Sequence, residues 1–215
     1  MVDAPSDRFR ARLLEAYPAH AAELGWTDAA LKAAAAEAGL SEGEVALACP
    51  NGVVDLMDAF ADRADHAMLD RLSEIDLDSL RIRDKVRAAV MARLEAQAPH
   101  KLAARAMTRA LARPTRAPEA ARLLWRTADH IWRALGDTST DGNFYSKRAI
   151  LSGVLASTYA RWFTDESEDN ADTWAFLDAR IENVMQFEKF KARLKPIGEA
   201  AQTAIGIAAR ARYGA

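Results

Sequence analysis

Apolar positions along this chain recur at intervals of three, four and seven. Nowhere do they alternate with polar ones over a strand's length. That periodicity predicts helix throughout: an all-α fold of about nine to ten helices. The first runs over 6–24 and stops at Gly25. Thr27 caps a helix over 28–38 that Gly39 ends. Ser41 and Glu44 have the spacing of a capping box and open a short helix over 42–48. After Pro50-Asn51-Gly52 a long helix reaches Leu72, with Val53, Leu56, Phe60, Ala64 and Ala67 on one side. Helices over 79–97 and 100–112 part at Pro99, because proline disfavours helix in the residue before it. Pro114 and Pro118 mark the next turn. A helix over 117–135 follows, with Leu124, Ala128, Ile131 and Leu135 as its stripe and Trp125 and Trp132 beside it. Gly136 closes it. The helix over 141–163 places Phe144, Leu151, Leu155 and Trp162 at spacings of seven, four and seven. The acids of 165–172 suit the positive end of the following helix, 171–194, which carries Trp174, Leu177, Ile181 and Val184. Pro196 ends that helix, and a last one covers 197–212.

The organisation this implies is a front module over 1–48, a helical bundle over 49–195 and a C-terminal amphipathic helix over 196–215, all in one continuous structural domain. Half of the residues are apolar and alanine dominates them, which favours helix. No run approaches 18 uninterrupted apolar residues, and Met1 to Arg10 lacks the apolar core of a secretory signal and holds Asp3 and Asp7, which leads to the expectation of neither a secretory signal nor an organellar transit peptide. Cys49 is the single cysteine, so no internal disulfide can form. These features lead to the expectation of a cytoplasmic protein, with a peripheral place at the inner face of the cytoplasmic membrane open to it.

The net charge of −2 conceals an asymmetry. Residues 27–60 hold one base against six acids, and residues 81–133 hold thirteen bases against four acids. On helices such charges most often form a solvated face.

Chemistry is sparse. There is no phosphate-binding glycine loop, nucleophile elbow or paired cysteine. Asp62 and His66 are four apart, but two ligands without a second cluster do not make a metal site. His130, beside Asp129 and between two tryptophans, reads as a hydrogen-bonded packing residue. The expectation is therefore no catalytic residue, no metal and no cofactor.

From Gly25 to Leu56 the chain reads as helix, tight turn, short helix, break and long helix. That layout resembles the TetR family of repressors through Gly25, Thr27, Ala38-Gly39, Ser41 and Pro50. Its chemistry departs from the family. The short helix Glu42-Gly43-Glu44-Val45-Ala46-Leu47-Ala48 offers two carboxylates and no donor for a base edge, in a stretch that repels phosphate. The expectation is a degenerate module that does not bind nucleic acid. The alternative is a TetR-type regulator that senses an apolar ligand.

Three stretches of the second half carry a second resemblance. They are Trp125 to Leu135, then Gly136-Asp137-Thr138-Ser139-Thr140-Asp141-Gly142-Asn143-Phe144-Tyr145-Ser146-Lys147-Arg148-Ala149-Ile150-Leu151, then Asp172-Thr173-Trp174-Ala175-Phe176-Leu177-Asp178-Ala179-Arg180-Ile181. Together they are similar to the COQ nine family of ubiquinone-biosynthesis proteins, in a bacterial form. The similarity covers roughly 20–195. Phe144 stands where that family tends to have tryptophan. The resemblance implies a TetR-like, dimeric helical fold without catalytic residues. It also implies a pocket for an isoprenoid quinone intermediate or phospholipid, a partnership with the di-iron demethoxyubiquinone hydroxylase, and a final helix that touches the membrane.

The residues supply candidates for each role. Trp125, Trp132, Leu151, Leu155, Tyr159, Trp162, Trp174 and Ile181 are the candidate lining of a lipid pocket, although a packed core shows the same stripe. Asp141, Tyr145 and Arg148 fall on one helical face, with Asn143 and Phe144 beside them. By resemblance this is the surface for the hydroxylase, and aromatic residues with arginine are the composition of an interface hot spot; the other reading is that Asp141 caps the helix, Asp141 and Arg148 are ordinary surface charges and Tyr145 covers the core. Ile197, Ala201, Ala204, Ile205 and Ala208 form the apolar face for a weak membrane contact. Packing of that last helix on the domain, or on a second protomer, is the other reading.

Overall fold

The computed structural model describes residues 4–186. Among these the chain folds into nine α-helices and no strand. They are α1 (Pro5–Leu24), α2 (Asp28–Glu37), α3 (Glu42–Ala48), α4 (Val53–Ser73), α5 (Ile82–Glu95), α6 (Lys101–Leu111), α7 (Ala117–Ala134), α8 (Gly142–Trp162) and α9, described over 171–186. The five candidate membrane residues, Ile197 to Ala208, lie outside the described residues, and so does the segment 196–215.

The helix starts follow from local chemistry. Thr27 Oγ1 accepts from the Ala30 N–H. Ser41 and Glu44 close the reciprocal capping box, with the Ser41 N–H donating to Glu44 Oε2 at 2.8 Å. Gly39, at φ 61°, takes the left-handed conformation that lets α2 end in a tight turn. The prediction for α5 and α6 runs long at the ends. Helix α5 lacks residues 79–81 and 96–97 of its expected span, and single 3-10 turns at Leu77–Ser79 and Ala98–His100 flank it. Pro99 has no N–H for an α-helical bond, so the chain tightens there instead.

The front helices share one core with the bundle. Helix α1 packs on α2, α3, α4 and α6. Trp26, buried between α1 and α2, sits 4.9 Å from the Tyr17 ring and 5.4 Å from Phe60 of α4. Its indole N–H donates to the Ala103 carbonyl of α6 at 2.9 Å. One side chain therefore ties the front module to two helices of the bundle.

The expectation of merely solvated charges is corrected between α4 and α7. Asp58, Asp62 and Asp65 recur at i, i+4 and i+7 on α4. Facing them on α7 are Arg122, Arg126 and His130. Asp58 Oδ1 accepts from Arg122 at 2.9 Å and from Arg126 at 2.8 Å. Arg126 also lies 3.5 Å from Asp65, as does His130. Part of the charge asymmetry along the chain is thus two complementary stripes that pair across a helix contact. His66 stays on the surface, hydrogen-bonded only to Asp62 of its own helix. Among the described residues no group of three candidate metal ligands converges.

Candidate functional site

Two apolar cavities open between the later helices. The first, of about 210 Å³, is enclosed by α4, α5, α6, α7 and α8. Ala104, Met107 and Leu111 form its α6 wall, Leu123 and Leu124 its α7 wall, and Leu155 and Tyr159 its α8 wall. Its polar side is built from Arg93, Gln97 and Thr127. The second, also about 210 Å³, lies between α5, α7, α8 and α9 and is lined by Val86, Trp132, Ile150, Leu151, Val154 and Ile181, with Lys147 and Asn143 at one end.

The eight candidate lining residues divide. Leu155 and Tyr159 line the first cavity, and Trp132, Leu151 and Ile181 line the second. Trp125, Trp162 and Trp174 line neither. Trp162 is core, stacked beside Tyr159 and Phe163, with the Lys101 ammonium 5.0 Å from its ring. Trp174 anchors a loop, its indole N–H donating to the Asp169 carbonyl at 2.8 Å. Trp125 leaves the pocket set altogether and packs against Phe144 and Tyr145. A stripe assigns a face, and three of its largest members meet polar loops or other rings instead of a cavity.

Sequence reading missed the polar side of the first cavity. Asp65 is completely buried and accepts from Arg93 Nε at 2.6 Å and from Thr127 Oγ1 at 2.8 Å. Arg93 also donates to the Tyr159 hydroxyl and to the Ala61 carbonyl. The Tyr159 hydroxyl donates onward to Gln97 Oε1 at 2.8 Å. Burial raises the Tyr159 phenol pKa, with Arg93 opposing and Asp65 reinforcing that rise. The members of this network are up to 94 residues apart, from Asp65 to Tyr159, so no local pattern marks it. The available signal was Gln97 itself, a lone amide in the run Ala96-Gln97-Ala98.

The segment between α7 and α8 forms a clasp. Gly136, at φ 79°, turns the chain out of α7. Asp137 then accepts from Lys147 Nζ at 2.6 Å, Ser139 Oγ at 2.8 Å and Arg148 at 3.1 Å. Burial alone would raise the Asp137 carboxyl, but the hydrogen bonds from Lys147, Ser139 and Arg148 hold it at about 2. Asp141 caps α8 by accepting from the Asn143 N–H at 2.9 Å, and the Asn143 side-chain amide folds back onto it. A similar staple precedes α9. Asp165 accepts from Ser167 and from both the N–H and the hydroxyl of Thr173, which holds its carboxyl well below the usual range.

These contacts correct the candidate partner surface at one position. Arg148 is not exposed: 1% of it reaches solvent. Its guanidinium lies 3.5 Å from the Phe144 ring centre and donates to Asp129 at 2.6 Å. A charge can go inside here because Asp129 and Asp137 close around it. Asp141, Asn143 and Tyr145 remain at the surface. Tyr145 is 64% exposed, unusually for a large ring, and stands edge-on to Phe144 at 5.1 Å. Tyrosine is one of the residue types enriched in interface hot spots.

Cys49 is buried, and burial pushes its thiol up to about 11, with Arg10 opposing. It is a packed neutral group at neutral pH.

Comparison with known proteins agrees with the resemblance read from the motifs. The COQ9 family model matches residues 117–188. "Ubiquinone biosynthesis protein COQ9, mitochondrial" of Rattus norvegicus is 31% identical over 194 residues, covering 87% of this chain and 61% of that protein. The Bos taurus protein of the same name is 30% identical, covering 87% of this chain and 59% of that protein. The Dictyostelium discoideum "Probable ubiquinone biosynthesis protein coq9, mitochondrial" is 26% identical, covering 78% and 56% respectively. The chain thus spans about three-fifths of the length of these relatives. Among solved structures, a TetR transcriptional regulator from Nitrosomonas europaea superimposes with a TM-score of 0.67, covering 82% of this chain and 97% of that one at 24% identity. That likeness establishes the TetR-like fold alone. The relatives are mitochondrial proteins, which overturns the expectation of a cytoplasmic location. The physical ground for that expectation was thin, because a lone reduced cysteine does not distinguish one reducing compartment from another.

Proposed function

This chain carries the COQ9 family region at residues 117–188, and from that premise we propose that it is a non-catalytic accessory protein of ubiquinone biosynthesis. It holds an isoprenoid quinone intermediate or another lipid among α4–α8 and supports the demethoxyubiquinone hydroxylase through the surface around Tyr145. The observation that carries this reading is the first cavity, whose apolar walls and few convergent polar groups have the make-up of a small-molecule site. Its 210 Å³ suits a ring and its nearest substituents, since a cavity of roughly 150 Å³ holds benzene. A long tail must leave through the rim formed by Thr108, Ala112 and Ala156.

The regulator reading has only the fold in its favour. The outer surface of α3 presents Glu42, Gly43, Ala46 and Leu47, with no base among them.

Two measurements test the proposal. Organic extraction of the natively purified full chain, followed by mass spectrometry, is expected to yield an isoprenoid quinone or phospholipid in stoichiometric amount. Protein that retains none under conditions gentle to lipid would remove the lipid half. Tyr145→Ala is expected to change stability by no more than about 0.5 kcal/mol, because the ring is mostly in solvent. The same change should weaken capture of the hydroxylase about tenfold or more. Unchanged capture would remove the partner half.

A further inference from the structure

The strongest remaining observation is an orphaned donor. Gln97 is 2% exposed and its side chain lines the first cavity. The orientation of its amide follows from its neighbours. Arg93 can only donate, so the Tyr159 hydroxyl accepts from it at 2.9 Å. The one hydrogen of that hydroxyl is then free to go to Gln97, which meets it with Oε1 at 2.8 Å. Among the described residues Gln97 Nε2 is left with two hydrogens and no partner, on a side chain that lines the cavity. A buried amide N–H without an acceptor is costly, so an acceptor brought to this amide would be favoured.

The missing acceptor has a definable chemistry. The one cation among the described lining residues, the Arg93 guanidinium, is already engaged by Asp65, Tyr159 and the Ala61 carbonyl. Asp65 balances its charge at 2.6 Å. Among the described residues the cavity lining therefore offers one amide donor without an acceptor, apolar walls and no free positive charge. A phosphate would enter without a counter-charge and pay its full desolvation cost. A carbonyl or ether oxygen on an otherwise apolar ring would satisfy Gln97 and lose little.

We propose that Gln97 is the specificity-determining residue of the first cavity, donating from Nε2 to an uncharged acceptor oxygen on the ring of a ring-headed apolar ligand and thereby selecting it over phosphate-headed lipids. This deepens the lipid-holding reading and rests on it. Tyr159 and Arg93 act as positioning residues that keep the amide turned the right way.

Calorimetric titration of the full chain with three probes sharing a ten-carbon tail tests the assignment. The probes are a decyl-substituted dimethoxy benzoquinone, decylbenzene and decyl phosphate. The quinone is expected to bind wild type about fivefold or more tighter than decylbenzene, the gain of one buried hydrogen bond, and decyl phosphate most weakly. Gln97→Leu should abolish the preference for the quinone and leave decylbenzene affinity unchanged. Should the variant fold poorly, wild type still decides: the Gln97 side-chain amide proton resonances should shift with the quinone and stay in place with decylbenzene. Equal binding of quinone and decylbenzene, tighter binding of decyl phosphate, or an unmoved Gln97 amide in the quinone-bound protein would each overturn the assignment while leaving a lipid pocket standing. Failure of all three probes to bind would overturn the pocket itself.

Discussion

Replacing Arg148 with methionine is expected to destabilise the protein by about 3–5 kcal/mol, measured as unfolding in urea at pH 7. Methionine fills similar space but carries no charge, so Asp129 is left with Arg133 and Asp137 with Lys147, and both lose the buried guanidinium. Removing one partner of a buried ion pair costs more than the pair itself contributes, because the surviving charge stays desolvated. Against a total of about 5–15 kcal/mol for a typical domain, such a loss takes a large share. The variant also loses the guanidinium stacked on Phe144, so the first turn of α8 loosens along with the clasp. The pH dependence has a definite sign. The Asp137 pKa is depressed from 3.8 to about 2, so its contribution is fully present above pH 4 and fades as pH falls towards 2. Loss of one of its three side-chain donors moves the folded-state value back up. The gap between wild type and Arg148→Met should therefore be widest near neutral pH and narrow as pH approaches 2. A cost below about 1 kcal/mol at pH 7, or a gap that grows in acid, would contradict the clasp.

The second large effect is expected at Arg93→Met, again at about 3–5 kcal/mol. Asp65 would keep Thr127 but lose its guanidinium, with only Arg126 and His130 at 3.5 Å in compensation. Replacing Asp65 by Leu in the same chain should restore most of the loss, because a buried pair exchanged for well-packed apolar groups is often neutral or better. If the double replacement is as unstable as the single one, the cost lies in packing and not in an uncompensated charge. Urea melts of the two single variants and the double form the required cycle.

These two arginines mark where the sequence stopped being informative. Helix positions were legible because caps, glycines and prolines act locally: Thr27, Ser41 with Glu44, and Gly136 each set a boundary within a few residues of themselves. The resemblance was legible for the same reason, being carried by three stretches each contiguous in sequence, of which the run from Gly136 is the most specific. The role of that run was not. Spacing put Arg148 on the same face as Asp141 and Tyr145, but a helical face has an inner edge, and whether a charge lies on it depends on acids that arrive from other elements. Asp137 and Ser139 brace a loop, Asp141 caps a helix and Thr173 is held by Asp165, so much of the motif serves architecture. Tyr145 is the large member that architecture leaves exposed. The cavity lining failed in a different way. A tryptophan stripe predicts burial, and burial does not say whether the ring faces a void or another ring. The pairing of Asp58, Asp62 and Asp65 with Arg122, Arg126 and His130 was within reach, since both rows keep helical spacing on helices of opposite charge.

Helix α6 has two faces with different duties. One holds the Ala103 carbonyl that receives the Trp26 indole, and the other presents Ala104, Met107 and Leu111 to the first cavity. It is an eleven-residue rod bolted down on its far side. Any outward movement of this wall would strain the Trp26 hydrogen bond, so the front helices brace the cavity from behind.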